Sequence, residues 1–134
     1  MVNSKVTILI AEDEYITAMD FKNTLQNMGC IVSAIVSSGE DLVEYINKET
    51  PTLIIADINL KGELDGIEAI ARIQEKHDIP FIYVTAYRDF ERVVQIYNLK
   101  PCEYLLKPIQ SSMLEESVKA CLSQLDLDWD NKKK

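Results

Sequence analysis

The sequence predicts one α/β domain with a parallel sheet between two layers of helices, and three observations carry that prediction. Short apolar runs rich in β-branched residues alternate five times with longer stretches of helical apolar spacing. That alternation is the pattern of βα units, which build a parallel sheet with right-handed crossovers. Four of the runs end on a polar, chemically useful group: Glu12-Asp13 after 6–11, Asp57 after 53–56, Thr85 after 80–84 and Lys107-Pro108 after 104–106. The length of 134 residues, with 47% hydrophobic and 27% charged residues, suits one globular domain and not a disordered chain.

Each element has its own warrant. Residues 6–11 are apolar and β-branched and read as a buried strand. Residues 14–28 place Ile16, Met19, Phe21, Leu25 and Met28 near helical spacing, and Gly29 suits the turn that ends this helix. Residues 30–36 form the second strand. Ser38, in the turn Ser37-Ser38-Gly39, caps a helix over 40–49 with the stripe Leu42, Val43 and Ile46. Pro51 precedes the third strand, 53–56. Gly62 and Gly66 mark 59–66 as a loop, and Ile67, Ile70 and Ile73 form the inner stripe of a helix over 67–77. Pro80 opens the fourth strand, 81–84. Phe90, Val93, Val94 and Tyr97 predict a fourth helix over 89–98, which Pro101 breaks. A short fifth strand covers 103–106. The last helix, 111–125, carries Met113, Leu114, Val118, Cys121, Leu122 and Leu125, with Ser111 or Ser112 as its cap. The tail 126–134 is polar and is expected to fray, which leaves residues 1–125 as the domain.

Charge and composition exclude several classes. The net charge of -8 argues against nucleic-acid binding, which needs a basic face. The tail is neutral, so the acidic excess lies in residues 1–125. No apolar run approaches the roughly 20 residues that span a membrane, and the N-terminus lacks the apolar core of a signal peptide. Cys30, Cys102 and Cys121 have no metal-ligand spacing and read as reduced, packed thiols. A cytoplasmic location is therefore expected.

The strand ends carry the chemistry. In a parallel α/β sheet the carboxyl ends of the strands line one edge, where ligands bind. Three carboxylates, a hydroxyl and an ammonium should converge there. Two bare carboxylates about 4 Å apart repel by about 4 kcal/mol at an effective dielectric of 20, so the cluster calls for a cation. A cation beside a nucleophile is equipment for handling a phosphoryl group. His77, the single histidine, lies near a helix end and reads as a surface residue.

Glu12-Asp13, Asp57, Thr85-Ala86 and Lys107-Pro108, each at its strand end and in this order, resemble the receiver domain of two-component response regulators. The stretch from Asp57-Ile58-Asn59-Leu60 through Asp65-Gly66-Ile67-Glu68 resembles the same family. The likeness covers about residues 5–125. It implies a flavodoxin-like doubly wound (βα)5 fold with strand order 2-1-3-4-5, the second doubly wound order, for which a member of this family is already a standard example. It also implies that Asp57 is the phospho-acceptor. Asp13 and Asp57 would bind Mg²⁺ (or Mn²⁺) directly, Glu12 would act through water, and the backbone carbonyl of Asn59 would be a further ligand. Lys107 would contact a phosphoryl oxygen, with a cis Lys107–Pro108 bond. Thr85 and Tyr104 would be the switch pair, remodelling the surface of the fourth helix, fifth strand and last helix. The implied partners are a sensor histidine kinase or phosphotransfer protein, an unidentified downstream protein, and a second copy docked through that surface. The chain would catalyse only its own phosphorylation and dephosphorylation.

Other readings meet specific obstacles. A Mg²⁺-dependent aspartyl phosphatase would want a second carboxylate two residues beyond Asp57, where Asn59 stands, and a substrate cap, for which there is no insertion. A flavodoxin-like cofactor binder would want a phosphate-cradling loop after the first strand, where Glu12-Asp13 stand. A receiver used only for docking, without phosphorylation, would have no need of the full residue set.

Overall fold

The computed structural model describes residues 6–89 and 100–125. Five strands form one parallel sheet: β1 (Thr7–Ala11), β2 (Ile31–Val36), β3 (Leu53–Asp57), β4 (Phe81–Thr85) and β5 (Glu103–Leu106). Their order is β2-β1-β3-β4-β5, as the resemblance implies. Helices α1 (Tyr15–Asn27), α2 (Gly39–Lys48) and α3 (Gly66–Gln74) connect the early strands, and a C-terminal helix spans Ser111–Gln124. A single 3-10 turn, Tyr87–Asp89, follows β4. The rest of the fourth helix expected over 89–98 lies outside the described residues, as does the tail 126–134.

The central strands β1, β3 and β4 are buried on both faces, as parallel strands covered by helices must be, while the edge strands β2 and β5 are only partly covered. β3 and β4 are buried at every position. Side chains alternate across the sheet, so each strand feeds two cores. Ile8, Ile10, Ile55, Ile82, Val84 and Leu105 face α1 and the C-terminal helix, where Phe21, Leu25, Leu114 and Val118 meet them. Leu9, Ile54, Phe81 and Tyr83 face α2 and α3, where Leu42, Ile46, Ile67, Ile70 and Ile73 meet them. Cys30 and Cys121 are buried and Cys102 half-buried. Burial alone pushes the Cys30 thiol up to about 11, which keeps it protonated.

Helix ends explain small differences from the sequence pattern. Ser38 caps α2 by accepting a hydrogen bond from the Asp41 N–H at 3.1 Å. Gly29, just past α1, has a φ of 93°. Helix α3 starts one residue earlier than its apolar stripe, at Gly66, because Asp65 caps it through the Glu68 N–H at 2.9 Å. It ends at Gln74, as soon as the stripe is complete at Ile73. Neither Ser111 nor Ser112 caps the C-terminal helix: its N-cap is Gln110, with no side-chain cap bond. The Ser111 hydroxyl instead accepts from Thr24 Oγ1 of α1 at 3.2 Å.

Candidate phosphoryl-transfer site

Sheet register brings the polar strand ends together. Ala11 pairs with Ala56, Asp57 with Val84, and Thr85 with Leu106, so the strands finish almost level. The ladder then runs one residue further: Glu12 N–H donates to Val36 O at 2.9 Å, Ile58 N–H to Val84 O at 3.2 Å and Lys107 N–H to Thr85 O at 2.9 Å. Glu12, Asp57, Thr85 and Lys107 therefore emerge at one edge of the sheet. Gly66 lets α3 start hard against this edge, because a Cβ there would stand 2.2 Å from the Asp57 carbonyl oxygen.

Lys107 organises the carboxylates. Its Nζ donates to Asp57 Oδ2 at 2.6 Å, a short, charge-assisted bond. The same ammonium stands 3.5 Å from Glu12 Oε1 and 3.5 Å from Glu14 Oε1. Burial pulls its affinity for a proton down, but the hydrogen bond and charge of Asp57, with Glu12 and Glu14, outweigh this and raise its pKa. The ammonium is thus charged throughout the physiological range. The Lys107–Pro108 peptide bond is cis. Residues 107–109 and Thr17, Asp20 and Phe21 of α1 line a cleft of about 410 Å³, so one side of Lys107 is open to an approaching group.

The carboxylates differ in environment. Asp57 is 3% exposed; its Oδ1 accepts the Asn59 N–H at 2.9 Å. Glu12 is 2% exposed, and burial, with the Asp57 charge adding, raises its pKa to about 7 against the pull of the Glu14 N–H and Lys107. Glu12 Oε2 accepts that Glu14 N–H at 3.0 Å. Its Oε1 has the Lys107 charge at 3.5 Å, but this buried oxygen has no hydrogen-bond partner. Asp13 is half-buried beside them. One oxygen from each of Glu12, Asp13 and Asp57 lies within 4.8 Å of the others. A hard-oxygen set of this span, with one orphaned oxygen, could hold a divalent cation that keeps several of its waters.

Thr85 is fully buried, and its hydroxyl donates to Ala86 O at 3.1 Å. Tyr104 is half-buried on β5, beside Tyr83, with ring centroids 6.2 Å apart and planes at 29°. His77 follows the C-terminal end of α3, so it lies at the opposite end of the sheet from Asp57.

Two contacts at this edge of the sheet escaped the reading of the sequence. Glu14 reaches Lys107, although its place at the start of α1 suggested only a helix residue. Asp89 accepts a hydrogen bond from Asn59 Nδ2 at 3.0 Å, tying the loop after β3 to the turn after β4. Glu14 directly follows the acidic pair, a signal that was available. Asp89 lies 30 residues from its partner and gave none.

Known proteins share this architecture. The sequence model of the response regulator receiver domain matches residues 8–119. The chain belongs to this family. The receiver is 29% identical over 117 residues to the transcriptional regulatory protein PdtaR of Mycobacterium tuberculosis, covering 87% of this chain and 57% of that protein. It is 33% identical over 116 residues to the transcriptional regulatory protein AfsQ1 of Streptomyces coelicolor, covering 86% of this chain and 50% of that one. The chain thus spans about half the length of these curated relatives. Among solved structures, the N-terminal domain of a response regulator/sensory box/GGDEF 3-domain protein from Carboxydothermus hydrogenoformans superposes with a TM-score of 0.81 at 29% identity, covering 90% of this receiver and 96% of that chain. The receiver is a signalling domain of two-component systems. No helix among the described residues is long and apolar enough to cross a membrane.

Proposed function

We propose that residues 1–125 form a phospho-accepting receiver that takes a phosphoryl group from a sensor histidine kinase or phosphotransfer protein onto Asp57. The observation that carries this reading is the 2.6 Å bond between Lys107 and Asp57, set beside the carboxylates of Glu12 and Asp13. In the proposed step an Asp57 oxygen attacks phosphorus, the bond from phosphorus to the donor's imidazole nitrogen breaks, and an acyl phosphate forms on Asp57. Asp13 and Asp57, with the backbone carbonyl of Asn59 and with Glu12 acting through water, would hold Mg²⁺ (or Mn²⁺). When bound, the ion supplies positive charge to the phosphoryl oxygens. Lys107 transfers its contact from Asp57 to a phosphoryl oxygen as a compact point charge. The Asn59 N–H keeps the acceptor carboxylate oriented.

The switch follows from the added charge. A phosphoryl group brings about -1.5 to -2 charges and new acceptors. The Thr85 hydroxyl exchanges Ala86 O for a phosphoryl oxygen, and the space behind Thr85 admits Tyr104. The surface that changes includes β5 and the C-terminal helix, together with the fourth helix expected over 89–98, of which residues 90–98 lie outside the described residues. That surface would meet a downstream protein or a second copy. A cytoplasmic place, where the kinase's catalytic domain works, completes the proposal.

Intact-mass analysis after incubation with Mg²⁺ and acetyl phosphate tests the reading. The expected result is a gain of one phosphoryl group that disappears with EDTA and in Asp57→Asn. Absence of any gain in the wild-type protein would sink it in favour of a docking module that is not phosphorylated.

A further inference from the structure

The loop between β3 and α3 carries Asn59, and its side chains Ile58, Leu60 and Leu64 are buried in the core. Its main chain over residues 61–64 is held from outside, by the start of α2. Lys61 N–H donates to Ser37 O at 3.2 Å, and Ser38 and Lys61 form an isolated parallel bridge. The Glu40 carboxylate then accepts two successive loop N–H groups: Glu63 on Oε2 at 3.1 Å and Leu64 on Oε1 at 3.3 Å. Gly62 makes this approach possible. Its φ is +91°, and a Cβ there would stand 2.5 Å from Glu40 Oε1. Gly62 thus folds the loop onto the carboxylate, and the carboxylate satisfies the amides that the fold leaves facing it.

Glu40 belongs to the first turn of α2, whose cap at Ser38 and buried Leu42 and Ile46 make it a rigid support. Its own backbone N–H and the Glu63 N–H, followed by that of Leu64, hold its carboxyl below the usual range, so it is ionised whenever the protein is folded at neutral pH. A carboxylate that receives two N–H groups is a stronger anchor than a neutral acceptor. The other end of the loop is fixed where Gly66 N–H donates to Ile58 O at 2.9 Å. Between these anchors the Asn59 N–H donates to Asp57 Oδ1 at 2.9 Å.

We infer that Glu40 is a positioning residue for the metal site: by clamping residues 61–64 onto α2 it sets where the Asn59 main chain stands beside Asp57. The inference rests on the reading that Asn59 supplies a carbonyl ligand to Mg²⁺. Groups that orient metal ligands typically contribute about 10–100-fold to affinity, and Glu40 acts through a loop and not through a ligand side chain. Glu40→Ala is therefore expected to weaken Mg²⁺ binding about threefold to tenfold.

Calorimetric Mg²⁺ titration of the wild type, Glu40→Ala and Glu40→Gln tests this, with amide hydrogen exchange and metal-free melting alongside. The expected result is weaker binding in Glu40→Ala, an intermediate affinity in Glu40→Gln, which keeps one acceptor oxygen, and loss of protection at the Glu63 and Leu64 amides without a matching fall in metal-free melting temperature. Equal affinity in Glu40→Ala and the wild type would overturn the inference. So would weaker binding in Glu40→Ala with the Glu63 and Leu64 amides still protected, because the effect would then be one of charge and not of anchoring. Failure of the wild type itself to bind Mg²⁺ would remove the inference together with the phosphoryl-transfer reading, and is distinguished by appearing before any substitution.

Discussion

Lys107 is the residue on which the balance of the site turns. Its Nζ faces Asp57, Glu12 and Glu14 at 2.6, 3.5 and 3.5 Å. The side chains of Asp57 and Glu12 are 4% and 1% exposed, so their negative charge has little water to screen it. Removing one partner of a buried pair leaves the other uncompensated, which costs about 3–5 kcal/mol when both are fully enclosed. Lys107 is 28% exposed, which admits water and moderates that cost. Lys107→Ala should therefore destabilise the metal-free protein by about 1–3 kcal/mol and slow phosphorylation by acetyl phosphate as well. Lys107→Arg should keep most of the stability, because it keeps the charge, but not the rate, because a planar fork does not replace a point charge. Urea unfolding in EDTA measures the first effect and the time course of mass gain the second. A Lys107→Ala midpoint equal to wild type would mean that the ion pairs contribute nothing to the fold.

Elements were legible where one local rule decides them. Ser38 before α2 is such a case: a hydroxyl at the N-cap, with Glu40 and Asp41 in the first turn, is a helix start that any context would respect. Ser38→Ala should cost about 1 kcal/mol through loss of the Asp41 bond. Ser112, an equally good cap by sequence, lies inside the C-terminal helix and is exposed, so Ser112→Ala should stay within about 0.5 kcal/mol of wild type. Parallel denaturation curves check the pair, and equal losses would refute the assignment of Gln110 as N-cap. The strands were legible for a similar reason. A parallel strand buried on both faces must be an apolar run, so the polar residue that ends it marks the sheet edge, as Asp57 does after Ala56. The five residues at the candidate site, Glu12, Asp13, Asp57, Thr85 and Lys107, were found that way. The bond between Ser111 and Thr24 and the clamp of Glu40 on Glu63 and Leu64 were not, because they join residues 87, 23 and 24 positions apart and leave no local pattern. Gly66 misled because a glycine at a loop end reads as a turn, whereas here its missing side chain lets a helix start against the Asp57 carbonyl.

At the scale of the whole molecule, two apolar cores hold the sheet and one polar edge burdens it. Ile8, Ile10 and Ile55 on one face and Leu9 and Ile54 on the other are fully buried, and such burial stabilises by roughly 1.5–3 kcal/mol per large side chain. Glu12, at the end of β1, works in the other direction. Burial raises its folded pKa to about 7 from an ordinary value of 4.5. Below pH 4.5 the group is protonated in the folded and the unfolded chain, and its contribution to stability is fully present. As pH rises from 4.5 to about 7 the unfolded chain releases the proton while the folded chain retains it, so stability falls. Above that window both are ionised and the loss is complete. The loss should be on the order of 2–3 kcal/mol in the absence of divalent cations. Glu12→Gln fills the same space without titrating. The difference in unfolding free energy between wild type and Glu12→Gln, measured in EDTA, should therefore shift against the wild type by that amount between pH 5 and pH 7.5 and level off beyond. A difference that stays constant across this window would show that Glu12 ionises in the folded protein as readily as in the unfolded chain, and that the buried edge of the sheet is better solvated than its exposure indicates.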